Sequence, residues 1–351
     1  MEITEHNFSS TQRLQQHAQQ RNALTEAEPT AQTQWLQGRL YQPPGRRWYM
    51  TMRLLRPRFS LALFAAVICG AWLGWWHSGN LNGLTTVLLL LGSGMTVLGL
   101  NLLHEYHDYR YALKSNDVQF HRVVFATGYH LLAADQVQAR HVCRLGYGLI
   151  GLGFLCYLGL VSLLGWPLMF FYVVSLLLAY TYSAPPIRYG YRGWGLGECG
   201  LFVSYGLLPF LGSYYIVSQT LTTTALFVTA PFGIGAILLF ANYNFMHQHR
   251  DWLMRKRTMI VAVGPARARD INAMLTLLIY ILFLCIVSLA YLPLIVLITL
   301  AALPLAMRIY GQLRADDIAL EESFLLYRAT VTSLLWTSAL FCLALVIDQL
   351  F

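Results

Sequence analysis

Nine stretches of this chain each run for roughly 20 residues with very few charged side chains, the length and character a helix needs to cross a hydrocarbon core of ~30 Å. They fall at about 59–77, 82–104, 143–165, 167–184, 195–217, 224–247, 271–291, 292–309 and 325–349. Only Tyr291, Leu292 and Pro293 separate the seventh from the eighth. A chain that is 57% hydrophobic and 11% charged, with mean hydropathy +0.51, lacks the composition of a soluble domain of its length. The expectation is an all-α integral membrane protein with nine transmembrane helices.

Charge placement checks that count independently. Short cytoplasmic loops collect Lys and Arg, and translocated ones exclude them. All 24 Lys and Arg precede the first run or fall at the second-to-third, fourth-to-fifth, sixth-to-seventh and eighth-to-ninth connections and their ends. The alternate connections hold none. The predicted topology has the N-terminus in the cytoplasm and the C-terminus outside. The pI of about 9.2 follows from this asymmetry and indicates no nucleic-acid partner. Six scattered cysteines without C-x-x-C spacing give neither a disulfide framework nor a thiolate metal site.

Residues 1–50 read as a polar, Gln-rich cytoplasmic tail, largely disordered, whose aromatic and Arg-containing end suits the lipid interface. Residues 51–351 read as one nine-helix domain. The long connections are cytoplasmic, at about 109–141 and 248–270, and the external ones are short. Chemistry is therefore expected on the cytoplasmic side.

Two polar clusters precede those long connections. In Asn101-Leu-Leu-His-Glu-Tyr-His-Asp108, residues Asn101, Glu105 and Asp108 are spaced i, i+4 and i+7 and share one helix face. Ionisable groups at the end of a membrane helix are costly and read as functional. In the stretch from Asn242 to Thr258, Asn244, His247 and Asp251 again share a face, followed by Arg255-Lys256-Arg257. Oxygen ligands with a basic cap suit a magnesium-bound diphosphate, because Mg²⁺ takes carboxylate and phosphate oxygens while Lys and Arg neutralise the remaining charge.

These motifs resemble the two acidic motifs of the UbiA superfamily of intramembrane prenyltransferases. The run Tyr182-Ser-Ala-Pro-Pro-Ile-Arg-Tyr-Gly-Tyr-Arg-Gly-Trp-Gly-Leu-Gly-Glu198 is similar to that family's Y-S-x-P-P-x-R and Y-R-G signature, and Arg56-Pro57 to its opening R-P. Within the superfamily the resemblance is to the subgroup that prenylates 1,4-dihydroxy-2-naphthoate in menaquinone synthesis. It implies a helix bundle around a cytoplasm-facing central cavity, and transfer of a polyprenyl chain from its diphosphate to an aromatic acceptor such as a quinone precursor. It also implies a multi-pass protein of the bacterial inner membrane.

Carried over by residue, the resemblance implies catalytic roles for Asn101, Glu105, Asp108 and Asp251. Asn101, Glu105 and Asp108 would hold one magnesium and Asp251, with Asn244 and His247, a second. Diphosphate would be met by Arg188, Arg192, Lys256, Arg257 and the loop-borne Lys114, and the acceptor by Arg56 and Tyr182. Tyr106, Tyr182 and Tyr189 are candidate π faces for an allylic cation. The chain departs from the pattern with Glu105 and His247 where the family has Asp, and Arg255 where it has Gly. Imidazole is not an equivalent magnesium ligand, so His104 and His247 also open a site for Mn²⁺ or another divalent ion. Two other readings are a diverged member with another acceptor or a cyclisation activity, and a membrane protein that binds or transports an anion without chemistry.

Overall fold

The computed structural model describes residues 54–113, 137–311 and 320–351, with Leu132 and Leu313. The tail expected at 1–50 and Lys114 lie outside the described residues. Every regular element among the described residues is helical. Seven helices are long and apolar enough to cross a membrane. They are α1 (Pro57–Ser78), α2 (Gly83–Leu113), α3 (Ala139–Leu164), α5 (Leu196–Ser218), α6 (Thr223–Phe245), α9 (Pro265–Ser288) and α11 (Leu320–Leu350). Short helices α7 (Gln248–Leu253) and α8 (Met259–Val263) fill the connection after α6.

Two further apolar helices, α4 (Pro167–Thr181) and α10 (Leu294–Arg308), coincide with the fourth and eighth expected spans but are shorter. At 1.5 Å per residue the 15 residues of α4 reach roughly 22 Å. In α10, 9 residues are wound as a 3₁₀ helix and 6 as an α-helix, and the steeper 3₁₀ rise stretches the segment to roughly 27 Å.

Local chemistry sets the helix ends. Pro57 occupies the first turn of α1, where its missing N–H is not needed, and Thr222 caps α6 by accepting the Ala225 N–H at 3.2 Å. In α5 a π turn over Phe202–Leu207 ends two residues before Pro209, whose ring cannot donate the usual helical hydrogen bond.

Helix α2 packs along α3 through a seam of small residues. A Cβ on Gly99 would stand 2.6 Å from the Gly146 carbonyl oxygen, and one on Gly92 2.9 Å from the Cys156 Cβ. Only glycine lets these backbones approach so closely. The opposite side of α3 leaves Leu145, Leu152, Leu155, Leu158 and Leu163 exposed, as a lipid-facing surface requires.

The α2 helix runs nine residues past the expected end at 104, so Asn101, Glu105 and Asp108 lie within continuous helix rather than at its terminus.

Candidate active site

Helical periodicity brings Asn101, Glu105 and Asp108 to one buried face of α2, at 4%, 2% and 2% exposure. The second cluster is assembled by a break in the chain. Helix α6 ends at Phe245, α7 starts after His247, and the Asp251 N–H returns to the His247 carbonyl at 2.8 Å. The turn after α7 then reverses at Arg255, whose φ of 54° lies in the left-handed region. That reversal lets the Lys256 N–H donate to the Asp251 carbonyl at 2.8 Å and turns the Lys256 side chain inward, where it is 1% exposed. Glycine adopts such a φ without strain, so Arg255 carries a backbone cost that glycine there would avoid. Its side chain is exposed.

Asp108 and Asp251 converge on the same two cations. Arg250 donates from Nη2 to Asp108 Oδ2 at 3.2 Å and to Asp251 Oδ1 at 3.3 Å. Lys256 Nζ lies 3.8 Å from Asp108 Oδ2 and 4.0 Å from Asp251 Oδ1, and 4.7 Å from the Tyr191 ring centre. Asp108 also accepts the Tyr191 hydroxyl and has His104 Nε2 at 3.8 Å. Glu105 pairs with Arg56, whose guanidinium stacks over Tyr243 at 4.5 Å. Three buried carboxylates thus face three buried cations. A buried charge without such a partner would be strongly unfavourable.

His247 is 1% exposed, packs edge-on against Tyr243 at 4.7 Å between ring centres, and has no partner at either ring nitrogen. Burial, reinforced by Arg250, Arg56 and Lys256, pushes its pKa well below the ordinary histidine range, so the ring is neutral. Asp251 is fully buried. Burial raises its pKa, opposed by Lys256 and Arg250.

The signature loop closes over both motifs. The Gly190 N–H donates to the Tyr182 carbonyl at 3.1 Å and the Arg257 N–H to the Tyr191 carbonyl at 3.0 Å. Gly193, with φ 77°, comes so near that a Cβ there would meet the Arg257 Cβ at 3.1 Å. Tyr182 is buried beside His104 and Phe240 at 5.8 and 5.5 Å between ring centres. Arg188 is half-buried over Tyr111 at 4.6 Å with Nε unpartnered, and Arg192 and Arg257 are exposed.

Most of the expected site residues share this region, with exceptions. Tyr106 turns away from the carboxylate face and packs with Leu54, Leu102 and Val142. Arg56, expected near an acceptor, lies within the network, where it engages Glu105. Sequence reasoning missed Arg250, Tyr191 and Tyr243. The available signals were an arginine directly before Asp251 and a tyrosine inside the Y-R-G segment.

The donors fit a divalent ion at the α2 face. Glu105 Oε2 is buried without a partner, and Asn101 Nδ2 donates to Ser60 Oγ at 2.7 Å, which orients the amide. Two carboxylates and an amide, completed by water and phosphate oxygens, suit Mg²⁺. The second cluster supplies one carboxylate, Asp251, whose Oδ2 is also unpartnered, with Asn244 seven residues earlier and buried. Among the described residues no three His, Cys, Asp or Glu side chains converge as a metal cage.

A turn and more along α2, an apolar cavity opens between α1, α2, α4 and α5, lined by Leu63, Val97, Leu100, Tyr172, Ala179 and Tyr205. Tyr182, Phe240 and Tyr243 belong to the apolar cluster between it and the ion network.

Comparison with known proteins gives one consistent result. Residues 62–331 match the UbiA prenyltransferase family. The chain is 27% identical over 234 residues to the 1,4-dihydroxy-2-naphthoate octaprenyltransferase of Escherichia coli (strain K12), covering 63% of this chain and 70% of that protein. It is 31% identical over 119 residues to the 2-carboxy-1,4-naphthoquinone phytyltransferase of Synechocystis sp., covering 33% of this chain and 38% of that one. Among solved structures, a UbiA homolog from Archaeoglobus fulgidus bound to GPP and Mg²⁺ superposes with a TM-score of 0.63 at 15% identity, over 85% of this chain and 98% of that one.

Proposed function

Because the chain belongs to the UbiA prenyltransferase family, we propose that it transfers a polyprenyl chain from its diphosphate to an aromatic acceptor, a naphthoate or related quinone precursor. The observation that carries this reading is the convergence of Asp108 and Asp251 on Arg250 and Lys256 in a buried cluster beside an apolar cavity. A diphosphate needs the first and an isoprenoid tail needs the second.

Asn101, Glu105 and Asp108 would hold a divalent metal, with Asp251, Asn244 and His247 opposite. When bound, Mg²⁺ supplies Lewis-acid stabilisation to the departing diphosphate. Lys256, drawn from its carboxylates toward the incoming anion, neutralises phosphate oxygens. Arg188, Arg192 and Arg257 extend the positive rim. As the carbon–oxygen bond to diphosphate breaks, the allylic cation lies against the faces of Tyr182, Phe240 and Tyr243, which stabilise it and exclude water. The electron-rich acceptor ring forms the new carbon–carbon bond and then loses its proton. Arg56, between Glu105 and Tyr243, stands on the acceptor side.

In this reading α4 and α10 complete nine spans, the cavity opens to the cytoplasm, and the chain resides in a bacterial inner membrane with its N-terminus inside. The distribution of Lys and Arg supports that orientation. The test is to incubate purified protein in lipid with labelled prenyl diphosphates, a panel of aromatic acids, and Mg²⁺, Mn²⁺ or chelator. A metal-dependent prenylated product is expected. Absence of product with every donor and acceptor would sink the proposal.

A further inference from the structure

The carboxylates that would bridge a second ion already bridge something. An ion shared by Asp108 and Asp251 needs an oxygen of each within ~2.1 Å of one point. Arg250 Nη2 stands between those oxygens, 3.2 Å from one and 3.3 Å from the other. The Arg250 Nε adds a longer contact to Asp251 Oδ1 at 3.4 Å. The side chain is fixed there, since the residue is 5% exposed and a guanidinium keeps its charge in a protein.

A second observation points the same way. One helical turn before Asp251, where a second carboxylate would complete an oxygen site, stands His247, buried, with both nitrogens unpartnered. Neutral imidazole is a poor magnesium ligand. The α6–α7 side of the site is therefore short of oxygen donors and already supplied with a positive charge. The α2 side keeps an unpartnered Glu105 oxygen beside Asp108 and Asn101.

We propose that the Arg250 guanidinium is a built-in cation that takes the place of a second divalent ion, so that the protein binds its prenyl diphosphate with one divalent metal, held at the α2 motif. This rests on the prenyltransferase reading. Arg250 would face the diphosphate from the α7 side as a fixed positive charge, with the geometric rigidity a planar guanidinium gives.

The experiment titrates Mn²⁺ into the full-length protein in lipid nanodiscs, with and without a thio-linked, non-reacting geranyl diphosphate, counting bound ions by electron paramagnetic resonance. The wild type should bind one ion per chain with the analogue present, and Arg250→Lys should also bind one. Arg250→Asp, which adds a carboxylate and removes the cation, should bind two. Two ions, or none, on the wild type would overturn the proposal, as would a folded Arg250→Asp protein that still binds one. If Arg250→Asp does not fold, the wild-type count alone decides. Prenyl transfer on the same preparation separates the failures. Transfer with two bound ions sinks only the role of Arg250, whereas neither transfer nor analogue binding sinks the functional reading itself.

Discussion

Asp108→Asn keeps the shape of the side chain at the centre of the ion network and removes one charge. The carboxylate meets the Tyr191 hydroxyl, Arg250 Nη2 at 3.2 Å, and Lys256 Nζ and His104 Nε2 at 3.8 Å each. Two unit charges near 4 Å interact by about 4 kcal/mol at an effective dielectric of 20, and removing one partner of a buried pair costs roughly 3–5 kcal/mol. Arg250 and Lys256 keep Asp251 at 3.3 and 4.0 Å, so the stability loss should lie near the low end, about 3 kcal/mol. A comparable loss of transition-state stabilisation corresponds to a fall in kcat/KM on the order of 10²–10³-fold. The assay is initial-rate prenyl transfer in proteoliposomes, with thermal unfolding followed by tryptophan fluorescence. The double variant Asp108→Asn, Lys256→Met rebalances the charges and should recover stability without recovering turnover. A single variant within threefold of wild-type kcat/KM would refute the reasoning, as would a double variant less stable than the single.

Other expectations follow from particular side chains. Arg255→Gly relieves a φ of 54° at an exposed turn and should stabilise the protein by roughly 0.5–1 kcal/mol, read as a higher unfolding temperature, with turnover nearly unchanged. His247 has a folded pKa below its unfolded value of ~6.5, so its stabilising contribution is complete above that pH and is lost as pH falls toward the folded pKa. Unfolding temperatures from pH 7.5 down to 5.5 should therefore fall less steeply in His247→Gln than in wild type. An unchanged slope would mean that the ring titrates alike in the folded and unfolded states and refute the downward shift. Ala179→Phe narrows the apolar cavity, so transfer from long prenyl donors should drop about tenfold more than transfer from a geranyl donor, measured with matched acceptor concentrations.

What could be read in advance follows the range of the interactions. Asn101, Glu105 and Asp108 share a face because helix periodicity is local, and their burial follows from the apolar run that carries them. The second cluster was harder. Asp251 and Lys256 are identifiable as types, but their meeting depends on the break before α7 and the left-handed turn at Arg255. Arg250 looks like a solvated neighbour of Asp251 until Asp108, on another helix, supplies the second carboxylate. Tyr191 reaches Asp108 only because the signature loop is tied to the Arg257 backbone. The α4 and α10 segments were apparent as apolar runs, whereas their brevity and the 3₁₀ winding of α10 depend on packing.

The pairing of Arg250 with Asp108 spans 142 positions of sequence, and synthesis meets that separation as elapsed time. Helix α2 leaves the ribosome with both of its acids, and Arg56, made earlier, is already at hand for Glu105. Asp108 has no such predecessor among its cations. Until α7 and the turn beyond it are made, its charge depends on hydration, so the C-terminal end of α2 should remain at the water boundary, reactive toward a carboxyl-modifying reagent in nascent chains that stop before residue 248. Completion of the site is then also the step that seats α2 at its final depth in the bilayer.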